Sequence, residues 1–141
     1  MPIDFSRLQN LSESLNKESD GLNEAIKAFE AKLASFRLGV TAWVDPPLEK
    51  EVDEKHGVES TTSLGYSKAT GNWCLTVAYG NDIDPESTQF SPLGQASRDV
   101  RMKAVRQLPK LLKALESAAA EAVKEVEEAR KVMRDIIDGT R

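Results

Sequence analysis

The sequence is poor in residues that carry chemistry. It holds one histidine, His56, and one cysteine, Cys74, among 141 residues. A single histidine excludes a multi-histidine metal site within one chain, and a single cysteine excludes an intrachain disulfide. Cys74 has no neighbouring histidine or cationic cluster to hold a thiolate, so it reads as a structural strand residue. His56, within Glu54-Lys55-His56-Gly57, reads as a residue of a charged loop. No glycine-rich phosphate loop, nucleophile elbow or His/Cys ligand pair occurs. Asn81, Asp82, Asp84 and Glu86 gather oxygen ligands, but without the aspartate spacing and distant glutamate of a calcium loop they read as turn residues. No apolar run approaches the ~20 residues that a membrane span needs. The start, Met1-Pro2-Ile3-Asp4-Phe5, has neither the basic nor the apolar region of a secretion leader. A cytoplasmic location is the expectation. The net charge of −4 argues against wholesale attraction to nucleic acid or anionic lipid. Together these absences lead us to expect no cofactor, no metal and no enzymatic activity.

What the chain has instead is heptad order. Val105, Leu112, Ala119, Val126 and Met133 form one column near the C-terminus; Leu108, Leu115, Ala122, Ala129 and Ile136 form a second. Alternating 3–4 spacing of this kind marks a helix that needs a partner along its length. Near the N-terminus Leu8, Leu15, Leu22, Phe29 and Phe36 recur every seven residues, flanked by Leu11, Ile26 and Leu33. Glu18 and Gly21 interrupt that repeat. The pattern predicts a helix over 6–36, ended at Gly39, and a long helix over about 95–137 kinked at Pro109. The bias of Leu108, ahead of that proline, against helical geometry leaves two consecutive helices open.

Between them lie β signals. Residues 40–44 are a short β-prone run closed by Asp45-Pro46-Pro47, and the acidic stretch 45–60 reads as a solvated loop with at most a helical turn over 48–55. Residues 61–68 and 73–79 alternate as a hairpin joined by Ala69-Thr70-Gly71-Asn72. Residues 80–94 read as a polar loop. The expected fold is a single α+β domain over 1–141: two long antiparallel, coiled-coil-like helices with a three-stranded antiparallel β-meander inserted between them. Leu22 would then lie near Ala119, and Leu8 near Met133. Leu111, Val123, Val132 and Ile137 widen the apolar stripe beyond what one helix can cover, so they are expected at the interface of a homodimer.

The remaining signal is electrostatic. Lys103, Arg106, Lys110 and Lys113 follow spacings of 3, 4 and 3 on one helical face, with Arg98 and Arg101 a turn earlier and Asp99 the only acid in the stretch. A solvated face usually mixes signs. These six residues are the expected contact surface for an acidic protein partner, with nucleic acid ranked below it; an ordinary solubilising face is the plain alternative. The order helix, three strands, helix over Ser6 to about Ala122 resembles that of the YbaB/EbfC nucleoid-associated proteins, which implies a small dimer and DNA binding. The resemblance is one of element order, and no sequence motif accompanies it. The functional expectation is a non-enzymatic interaction module, a homodimeric scaffold, adaptor or inhibitor, with a nucleic-acid-associated protein as alternative and an enzyme with an unrecognised site as second alternative.

Overall fold

A computed structural model describes residues 3–139 of the chain. Helix α1 spans Ser6–Ser35 and is followed by a turn in which Arg37 and Gly39 both take positive φ, 51° and 62°. Gly39 thus punctuates the helix end, though the last helical residue is four positions earlier. Met1 and Pro2, which contributed to the leader reading, lie outside the described residues.

Five strands follow: β1 (Ala42–Trp43), β2 (Glu49–Asp53), β3 (Val58–Ser67), β4 (Cys74–Asn81) and β5 (Gln89–Pro92). All pairings are antiparallel. β1 and β2 share one edge of β3, with Ala42 opposite Tyr66 and Glu49 opposite Thr62. Asp45-Pro46-Pro47 is the interruption between them, since proline supplies no N–H to a ladder. β3 pairs β4 from Ser60–Asn81 to Ser67–Cys74, and β5 closes the far edge with Ala78 opposite Phe90.

Two expectations are corrected here. The meander has five strands rather than three, because both stretches read as loops contain one. The acidic stretch forms β2 and the start of β3. Lys50 bridges to Glu59 on the neighbouring strand at 3.1 Å. The Asp53 carboxylate closes the turn by accepting the N–H groups of Lys55 and His56 at 3.1 and 3.3 Å, and it hydrogen-bonds His56 Nδ1 at 2.8 Å. Gly57, at φ 65°, completes that turn.

Alternation along β3 and β4 decides what lies inside. Leu64, Tyr66, Leu75 and Val77 share the face that meets the helices, and all are buried. They pack with Ala42, Leu93, and Ile26 and Leu33 of α1. To the same core α2 (Arg98–Arg106) supplies Val100 and Ala104, and α3 (Leu108–Ile137) supplies Leu111 and Leu115. Ser97 caps α2, its hydroxyl accepting the Val100 N–H at 3.3 Å. The predicted kinked helix is in fact two helices that break at Gln107. Pro109 stands in the first turn of α3, where its missing N–H costs nothing.

The third correction concerns the helices. They do not form an antiparallel pair within the chain. Arg101, early in α2, reaches Ser19 and Asn23 of α1. Leu33 and Phe36, at the end of α1, line a cleft with Leu112, Leu115 and Ala119. Both helical segments therefore advance in the same direction across the sheet. Leu22 lies about 20 Å of helix axis before Phe36, hence far from Ala119. The physical reason is competition: the sheet face claims Ile26 and Leu33 from one helix, and Leu111 and Leu115 from the other. α1 rests on β4 and α3 on β1 and β3, with no long α1–α3 seam among the described residues.

Candidate interaction surfaces

The shared direction of the helices has a direct consequence for their ends. The first half of α1 runs past one end of the sheet, and the second half of α3 runs past the other. On the α1 arm Leu8, Leu11 and Leu15 are 64%, 53% and 46% exposed. On the α3 arm Val123, Val126, Val132, Met133, Ile136 and Ile137 are all more than half exposed. A furrow of about 470 Å³ runs along it between Val126, Met133 and Ile137. Of the four residues expected at a dimer interface, Leu111 is fully buried in the chain's own core, whereas Val123, Val132 and Ile137 are on this exposed arm.

The six basic residues are divided by the fold. Arg98, Arg106, Lys110 and Lys113 are exposed. Lys103 makes an ion pair of 2.8 Å with Glu49 of β2, and the pair raises its pKa. Arg101 is only 8% exposed; its guanidinium donates to Asn23 Oδ1 and, at 3.1 Å, to Ser19 Oγ, while its Nε finds no partner among the described residues. It ties α2 to α1. The sequence carried the signal: Arg101, Ala104, Leu108, Leu111 and Leu115 follow 3–4 spacing, so Arg101 belongs to the inward stripe.

Glu30 escaped notice altogether. Its carboxylate, half-buried between α1 and the sheet, accepts the Leu75 N–H at 2.8 Å, just beyond the last residue of β4 paired by β5. Burial raises its pKa, and the Leu75 hydrogen bond opposes that rise. The oxygen-rich loop also has internal employment. Asn81 Oδ1 accepts from Ile83 and Asp84 at 3.1 and 2.7 Å, and Asp82 Oδ1 accepts from Glu59 at 2.9 Å. Cys74 is half-buried, its Sγ 3.4 Å from Thr70 Oγ1.

The sheet face turned away from the helices is covered at its centre by Trp43, whose ring lies on Gly65 and meets Phe90 with centroids 6.0 Å apart. Beside it is a shallow groove lined by Ser63, Ala78, Asn81 and Thr88. Among the described residues no helix is long and apolar enough to cross a membrane. No protein-family model, curated protein or solved structure matches this chain.

Proposed function

We propose that this chain is a cytoplasmic, non-enzymatic interaction module, a homodimeric helical scaffold of the adaptor or inhibitor kind that binds another macromolecule. The observation that supports the reading is the pair of helix arms carrying ordered apolar columns into solvent. At roughly 60–120 Å² of apolar surface per aliphatic side chain, nine half-exposed residues present several hundred Å². That is a substantial part of the ~800 Å² per partner of a stable interface. Exposed Arg98, Arg106, Lys110 and Lys113 then remain as the contact surface for an acidic protein.

Light scattering tests the dimer. The wild type is expected at twice the 15.5 kDa chain mass, and Val126→Asp at the single mass with its sheet intact. A wild type that stays at the single mass at high micromolar concentration would overturn the reading.

The exposed cations also favour the second reading, a nucleic-acid-associated protein. Each phosphate contact adds about 0.9 to the logarithmic salt slope of duplex binding. If that reading holds, reversing Arg106, Lys110 and Lys113 together flattens the salt dependence for a mixed-sequence DNA duplex. Duplex binding absent at low salt excludes it.

A further inference from the structure

We infer that the dimer is closed by reciprocal exchange of arms: the α1 arm of each copy packs antiparallel on the α3 arm of the other. This rests on the dimer reading above and adds its architecture.

The inference comes from direction, reach and shape. The two arms leave opposite ends of the sheet, so they cannot meet within one chain. At 1.5 Å per residue, residues 6–18 of α1 extend ~20 Å and residues 120–137 of α3 extend ~27 Å, so an α3 arm is long enough to cover a whole α1 arm. A two-fold axis through the helical layer, perpendicular to the helices, reverses the ends. It lays each α1 arm beside the partner's α3 arm, root to root and tip to tip, and one self-complementary interface then covers all four arms. Pairing α1 with α1, or α3 with α3, covers only half of them.

The geometry also provides a socket. At the root of the α3 arm, an open cleft of about 430 Å³ is lined by Phe36, Leu38, Val40, Ala119, Val123 and Val126. In the antiparallel arrangement the residue brought to this root is Leu15, the innermost exposed leucine of the α1 arm; Leu8 then reaches Met133 near the tip. The Leu8–Met133 match expected from the sequence, and Leu15 with Val126 in the same register, are then satisfied between copies rather than within one. The α1 arm itself supports a partner. A stretch of ~13 residues is marginal as an isolated helix in water, and the support at its start is local: the Asp4 carboxylate accepts the Ser6 N–H at 2.9 Å.

Disulfide trapping in full-length protein tests this. In a Cys74→Ser background, Leu8→Cys and Met133→Cys are introduced into one chain; both positions are exposed, so the fold is left intact. The two lie at opposite extremities of a chain, and a disulfide needs Cα atoms about 4.4–6.8 Å apart, so an 8–133 link forms only between copies. Mild oxidation is expected to give near-complete conversion to a covalent dimer, with peptide mapping showing 8 joined to 133. The pair Leu15→Cys and Val126→Cys should behave alike at the arm roots. Links of 8 to 8 or 133 to 133 would overturn the exchange while leaving the dimer standing. A ladder of larger species would overturn two-fold closure. A protein that remains monomeric by light scattering and unlinked would overturn the dimer reading as well.

Discussion

Glu30 couples the helix–sheet junction to pH. Its carboxyl group is held above the ordinary value of 4.5 by burial, so folding favours the neutral acid. The stability it contributes is complete below that value and is lost as pH rises through the folded pKa. Glu30→Gln keeps an acceptor for the Leu75 N–H and removes the titration. The variant should therefore gain on the wild type as pH rises through this range, measured by urea denaturation on either side of it. A variant that loses ground to the wild type as pH rises would contradict the assignment. Glu30→Ala leaves the Leu75 N–H without its protein partner and should cost about 1–3 kcal/mol. At Gly65 the constraint is steric. A Cβ there would sit 2.3 Å from the Trp43 ring and 2.7 Å from the Ala42 carbonyl oxygen. Gly65→Ala should destabilise by about 1–3 kcal/mol and shift Trp43 fluorescence as its ring is lifted; unchanged emission and stability would contradict this close approach.

At the scale of elements, helices were the most legible because the 3–4 repeat is long and dense. The β3–β4 hairpin was legible because burial on one face enforces alternation. The missed strands lack that signal for physical reasons. β2, Glu-Lys-Glu-Val-Asp, is an exposed edge strand, and charges there discourage pairing with other chains. β5 has four residues, with Phe90 turned to the exposed face and Pro92 ending its ladder. Gly57 gives the β2–β3 turn a test. Its positive φ is strained for any L side chain, so Gly57→Val should lower stability by roughly 1 kcal/mol or more, read as the urea midpoint. No loss would mean the turn tolerates another geometry. The candidate surface was half legible. A helical wheel placed Arg106, Lys110 and Lys113 together on an exposed face, but counting charges alone missed that Arg101 occupies an inward heptad position.

Over the whole molecule, the matched repeats alone favour pairing within the chain, the simplest way to satisfy two columns. The sheet prevents it by holding α1 and α3 side by side in the same direction. The columns then extend from opposite ends, exposed to solvent, and on the proposed reading a second copy covers them. The proposed function divides the surface in two: apolar arms for self-association, and the exposed α2–α3 cations Arg98, Arg106, Lys110 and Lys113 for another macromolecule. Hydrogen exchange by mass spectrometry, followed at micromolar concentration, measures directly whether the arms are covered. Amides of residues 8–15 should exchange far more slowly than an isolated helix of that length allows, and Val126→Asp, at the far end of the same chain, should release them while the β3–β4 core stays protected. Arm amides that exchange in the wild type as fast as unstructured chain, beside a protected core, would contradict the claim that a second copy holds them.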